Sequence, residues 1–118
     1  MSKPVFEDIL ALHGRRNRSS YFWYLVCLAI FVIPLWTLPL TGKIPITTAY
    51  GLIALAITLL LYLAHFVVAA QRCRDIGWTG WAILLGFIPG LGWIISLALI
   101  FIPGTTGPNR YGPDPLDV

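Results

Sequence analysis

Three long apolar runs constrain this chain more than anything else in it. Tyr21 to Leu40 holds 20 residues without a charge, Ile46 to Ala70 holds 25, and Trp78 to Ile102 holds another 25. A hydrocarbon core of about 30 Å takes roughly 20 residues of α-helix, so each run is long enough to cross a bilayer. Only 11% of the 118 residues are charged. A soluble domain carries about 25%, so an ordinary soluble fold is excluded. The sequence predicts an all-α integral membrane bundle, one domain over residues 1–118, with full transmembrane helices at 21–40 and 46–70.

The third run, 78–102, is interrupted. Its centre reads "GFIPGLG", with Gly86, Pro89, Gly90 and Gly92, and these residues divide it into two arms. Each arm has about 11 residues, about 16 Å if helical. Two arrangements remain: a kinked third span, or a helical hairpin that turns back at mid-membrane. The hairpin requires protein over its turn, because an unpaired backbone group facing lipid costs several kcal/mol. No cleavable leader is expected, since the first run follows Arg15, Arg16 and Arg18 and "TLPLTGK" beyond it lacks small residues at cleavage spacing. Residues 4–13, "PVFEDILALH", set Val5, Phe6, Ile9, Leu10 and Leu12 against Glu7 and Asp8. This pattern predicts a short amphipathic helix ended by Gly14, lying on the membrane surface or packed beneath the bundle.

Basic residues orient the spans. Lys3, Arg15, Arg16 and Arg18 precede the first run, Lys43 alone follows it, and Arg72 and Arg74 follow the second, a bias of six to one. The N-terminus and the 71–77 loop are therefore expected in the cytoplasm. The polar tail, 103–118, sets Arg110 against Asp114 and Asp117 and carries no such bias. A hairpin returns it to the cytoplasm; a third span leaves it outside. The net charge of +3 is small and forms no broad stripe, which argues against nucleic acid as a partner. Anionic phospholipid suits it better.

The stretch "QRCRDIGWTGW" carries Arg72, Arg74 and Asp75. Holding all three at mid-membrane would cost roughly 8 to 10 kcal/mol, which assigns them to the interface. Trp78 and Trp81 suit the same level, as Tyr21 and Trp23 do on the first run. Steps of three or four from Gly51 give Leu55, Thr58, Tyr62, His65, Ala69 and Arg72, one helical face that should turn toward protein. His65 and Tyr62 are the candidate intramembrane polar residues on it. A lone histidine commonly serves packing, yet an ionisable group at this depth is also a functional candidate.

"GRRNRSSYFWYLV" at 14–26, "RCRDIGWTGWAILLGFIPGLGWI" at 72–94 and "PGTTGPNRYGPDP" at 103–115 together resemble the domain-of-unknown-function 805 family of small bacterial inner-membrane proteins. The resemblance runs from Gly14 to Pro115 and implies residence in the inner (cytoplasmic) membrane as a multi-pass protein, with no activity attached. The first family motif maps onto Gly14, Arg15, Arg18, Tyr21 and, displaced by one, Trp23, with Ser20 where the family carries an acid. The second maps onto Arg72, Cys73, Arg74, Asp75, Gly77, Gly80 and Trp81, with Arg74 where His is common. The third maps onto Gly107, Asn109, Arg110, Tyr111, Gly112, Pro113 and Pro115. So rigid and polar a tail is expected to fold back onto the other two motifs, which favours the hairpin.

Catalytic signatures are scarce. Cys27 and Cys73 form no CxxC and no Cys–His group, so no metal is predicted, and "GFIPGLG" follows no strand and carries no lysine for phosphate, so no phosphate-binding loop is either. No cofactor is implied, and the chain is not expected to be an enzyme. The favoured reading is a non-enzymatic module in which Arg15, Arg18, Arg72, Arg74, Asp75, Asn109, Arg110 and Tyr111 form a cytoplasmic-face cluster. That cluster would bind anionic lipid or a membrane protein partner through guanidinium contacts. Two other classes are an oligomeric small transporter or channel using the broken segment and His65, and an enzyme acting on a lipid phosphate with Asp75 as base.

Overall fold

The computed structural model describes residues 3–88 and 90–116, which leaves Pro89 and Asp117 outside the described residues. The described residues are all-helical apart from turns and one isolated bridge. Helix α1 covers Arg18–Thr37 and continues as a 3-10 turn over Leu38–Thr41; α2 covers Thr48–Ile76. A 3-10 helix over Gly80–Phe87 and α3 over Leu91–Phe101 follow. The first two helices are each long and apolar enough to cross a membrane. They bare Ile30, Phe31, Ile33, Leu59, Leu60 and Leu63, side chains that a water-soluble fold would bury.

Helices α1 and α2 run antiparallel, joined at three levels. Pro39 has no N–H to give the Leu35 carbonyl one turn below it. The Tyr50 hydroxyl donates to that carbonyl instead, at 2.6 Å. Trp36 Nε1 donates to Thr58 Oγ1 at 2.8 Å, and the Tyr24 hydroxyl to the Leu61 carbonyl at 3.3 Å. The face of α2 turned inward is Ala54, Thr58, Leu61, His65, Val68, Arg72 and Asp75, spaced four and three in alternation. The expected stripe is thus right at Thr58, His65, Ala69 and Arg72 but wrong at Leu55 and Tyr62, which are about half exposed. Hydropathy cannot separate Leu55 from Ala54; close approach of α1 selects the smaller residue.

The chain ends α2 at Gly77, whose φ of +95° closes the helix. Gly77 N–H bonds the Arg74 carbonyl and Trp78 N–H the Cys73 carbonyl at 2.9 Å, the paired bonds of a Schellman cap. The 3-10 helix repeats every three residues, which puts Gly80, Ile83 and Gly86 on one row. That row faces protein: Ile83 is buried, and Gly86 meets Gly92 of α3. Gly90, at φ +83°, leads into α3. About 16 Å of 3-10 helix and about 16 Å of α-helix give the two arms equal reach, so the chain doubles back to the end of α2.

The N-terminal segment differs from expectation. Residues 5–10 form turns instead of a helix over 4–13, with Asp8 at φ +53°. The cause is tertiary. Carbonyls that a helix would bond internally are taken by the Arg16 guanidinium, which donates to Pro4, Val5 and Glu7, and by the Gln71 amide, which donates to Asp8 and Ala11.

A buried arginine clasp as the candidate functional site

Asp75 lies one residue from the end of α2, between two guanidinium groups. Arg15 Nε donates to Oδ1 at 3.0 Å, and Arg72 Nη1 donates to Oδ2. The charged ends of all three are almost wholly buried. One carboxylate against two arginines leaves surplus positive charge, and the remaining N–H groups turn to backbone carbonyls. Arg15 reaches the tail, bonding the carbonyls of Thr105 at 2.6 Å, Gly107 at 2.7 Å and Gly112 at 3.2 Å. Arg72 reaches α3, bonding the Leu99 carbonyl at 2.7 Å, the Ile102 carbonyl, and the Arg16 carbonyl at 3.3 Å.

These carbonyls include groups that a helix end leaves without partners. Arg72 and the exposed Arg18, which bonds the Phe101 carbonyl at 3.3 Å, together cap the C-terminus of α3, where cations also suit the helix dipole. The tail caps α2 in return. Thr105 N–H bonds the Asp75 carbonyl at 2.6 Å, and Asn109 Nδ2 the Arg74 carbonyl at 2.9 Å. A tight turn closed by Asn109 and Gly112 shapes the tail, and Asp114 accepts from the Gly107 and Leu116 N–H groups. Those two bonds hold the Asp114 carboxyl below its ordinary pKa. The N-terminal segment, the end of α2, the end of α3 and the tail thus meet in one polar layer.

Arg16 and Gln71 form a second buried half of this layer, and reading the sequence alone missed both as site residues. Each is 0% exposed. Arg16 Nε donates to Gln71 Oε1 at 3.1 Å and Nη1 to Ser20 Oγ at 2.7 Å, so Ser20 accepts from arginine where the family carries an acid. Burial pulls the Arg16 pKa below its ordinary value, while the charges of Asp8 and Glu7 act the other way. The departure from the family's acid at Ser20 and the glutamine before Arg72 were the available signals.

Not every predicted residue joins the clasp. Arg74 lies over Gly80, and its Nη1 is buried with no hydrogen-bond partner among the described residues. Arg110 is exposed, its guanidinium 4.7 Å from the centre of the Tyr111 ring. Trp23, Trp78 and Trp81 are exposed, as head-group aromatics would be. Tyr21 is not: it is 0% exposed, in the core with Cys73 and Leu99. Its helical position turns it inward while Phe22 and Trp23 take the outer face. His65 sits deeper, with its ring stacked on Tyr24 at 6.3 Å and edge-on to Tyr62 at 6.1 Å. Among the described residues no group of three or more His, Cys, Asp or Glu side chains gathers to hold a metal ion.

The family model described as "Protein of unknown function (DUF805)" matches residues 9–113. Inner membrane protein YhaH of Escherichia coli K12 is 30% identical, the match covering 94% of this chain and 92% of that protein. Inner membrane protein YhaI of the same strain is also 30% identical, over 94% of this chain and 91% of its own. No solved structure matches. With nearly its whole length matched, the chain belongs to the DUF805 family of membrane proteins.

Proposed function

We propose that this protein is a non-enzymatic, multi-pass module of the inner membrane that binds anionic phospholipid head groups on its cytoplasmic face. The clasp is its internal frame, and the lipid contacts fall to the guanidinium groups left outside it: Arg18, Arg74 and Arg110. The observation that carries this reading is the division of labour among the arginines. Arg15, Arg16 and Arg72 spend their donors on the protein, whereas Arg18 and Arg110 are exposed and Arg74 is partly exposed. A guanidinium at head-group level bonds phosphate in bidentate fashion. The orientation rests on the six-to-one excess of basic residues at the clasp end.

The test is native mass spectrometry of the protein released from micelles holding phosphatidylglycerol, cardiolipin or phosphatidylcholine. The wild type should retain the anionic lipids, and a triple Arg18→Ala, Arg74→Ala, Arg110→Ala variant should lose them while it stays folded, its thermal midpoint lowered only by the loss of the exposed Arg18 cap on α3. Equal retention of phosphatidylcholine, or retention indifferent to the three substitutions, would contradict the reading. A membrane protein partner or a second copy is the other occupant of this face; crosslinking in whole membranes detects either. The transporter reading draws on His65 and requires solute flux in liposomes that Gly90 or His65 substitutions abolish.

A further inference from the structure

The bundle is not equally thick along its length. The buried residues of α1 are Ser20, Tyr21 and Tyr24, and those of α2, Ala54 apart, all fall between Ala64 and Asp75, so both spans are covered at the clasp end and bare at the other. The cause is the length of what packs on them. Helix α2 has 29 residues, whereas the 3-10 helix has 8 and α3 has 11. That is about 43 Å of helix against about 16 Å for each short element, half of a hydrocarbon core of about 30 Å. Both short elements are anchored near the end of α2, with Gly80 against the Arg74 side chain and the Leu99 carbonyl accepting from Arg72. They therefore fill one leaflet only. In the other leaflet α1 and α2 are joined to each other through Trp36, Thr58 and Tyr50, and Leu52, Ile53 and Leu60 are exposed.

A helix with its side chains is 10–12 Å across, so it takes about 100 Å² of a leaflet; four elements against two displace about 200 Å² more on the clasp side. The N-terminal turns add to that side. Gln71 holds the Asp8 and Ala11 carbonyls, which sets the segment level with the end of the apolar run, and Phe6, Leu10 and Leu12 are exposed there. Apolar side chains at that level enter the boundary between head groups and tails, and such one-sided insertion is sensitive to curvature. A flat bilayer offers equal area in its two leaflets, so a tapered inclusion is strained in it and relieved where the leaflet around its thick end is stretched. We infer that this protein is a membrane wedge that concentrates in curved bilayer, its clasp end in the convex leaflet and the lipid surface itself its partner. A second copy does not remove the taper. Two copies side by side touch first at the thick end, and tilting to close the thin ends bends the membrane in the same sense. The inference rests on shape and not on the head-group contacts of Arg18, Arg74 and Arg110.

The experiment uses the full chain in vesicles of phosphatidylcholine, whose lack of net charge separates this outcome from that of the anionic-lipid test. Lys43, exposed in the turn at the thin end, is changed to Lys43→Cys and labelled with a nitrobenzoxadiazole dye; Cys73 is buried and Cys27 lies within the α1 span, so the added thiol takes the label. Single-vesicle imaging gives protein per lipid area in small sonicated and large extruded vesicles. Dithionite, which does not cross the bilayer, then bleaches only the dye that faces outward. The protein should be at least twofold denser in the small vesicles, with most of its dye there protected, because the thick end takes the convex outer leaflet and the thin end faces the lumen. Equal density in the two sizes would overturn the inference, as would small vesicles in which most of the dye is bleached.

Discussion

Asp75 is the one acid that two buried arginines share, and its removal is the sharpest test at the scale of residues. Asp75→Asn leaves Arg15 and Arg72 facing one another without a counter-charge. Breaking such a buried pair costs roughly 3–5 kcal/mol, so the thermal midpoint in micelles should fall steeply. The same site distinguishes two glycines. A Cβ on Gly104 would stand 2.0 Å from Asp75 Oδ2, whereas a Cβ on Gly80 would meet only the mobile end of Arg74, at 2.9 Å. Gly104→Ala should therefore destabilise by several kcal/mol and Gly80→Ala by about 1 kcal/mol or less, read from the same unfolding curves. Asp114 adds a pH dependence. Its folded pKa lies below its unfolded one, so its support of the tail is complete above the usual carboxylate range of about 4 and is lost as pH falls through the folded value. The Gly107 amide resonance should titrate with that lowered pKa, and Asp114→Asn should abolish the titration.

At the scale of elements, the sequence announces the helices through hydropathy and hides their polar ends. The apolar run stops at Ala70, yet α2 continues to Ile76 because the N-terminal segment covers Gln71 and the tail and α3 cover Arg72 and Asp75. Arg16 and Gln71 escaped notice for a related reason. Most of their partners are backbone carbonyls between residues 4 and 11, which no side-chain motif encodes. The expected N-terminal helix fails at the same contacts, since its amphipathic pattern was real but its carbonyls had other donors. Glycines mark the break in the third run, while the approach of Gly86 to Gly92 shows only in the packing. A Cβ on Gly92 would stand 2.6 Å from the Gly86 carbonyl oxygen, a backbone atom that cannot turn aside. Gly92→Ala should push the arms apart, lengthening the distance between spin labels placed at Leu84 and Leu97, while Gly51→Ala, which meets nothing within 4 Å, should leave it unchanged.

For the whole molecule, one polar layer gathers the chain. The bundle measures 51 × 29 × 22 Å, and its charged core lies at one end of it, where α2 and α3 finish and the N-terminal segment and the tail meet them. Motifs far apart in the sequence end within hydrogen-bond distance of each other, as Arg15 to Asp75, 60 residues on, and Arg15 to Gly107, 92 residues on, show. Their meeting was legible in kind, because lipid rejects charge wherever it falls along the chain. Their arrangement was not, since which arginine turns inward depends on carbonyls supplied by distant segments. The central claim is that this layer forms on the cytoplasmic side, with the tail folded back to it. A pair of reporters fused after Leu116 tests this most directly: green fluorescent protein, which matures in the cytoplasm, and alkaline phosphatase, which is active only outside it. Bright fluorescence with an inactive phosphatase is the predicted result. An active phosphatase with a dark fluorescent fusion would put the tail across the membrane from Arg15 and contradict the account.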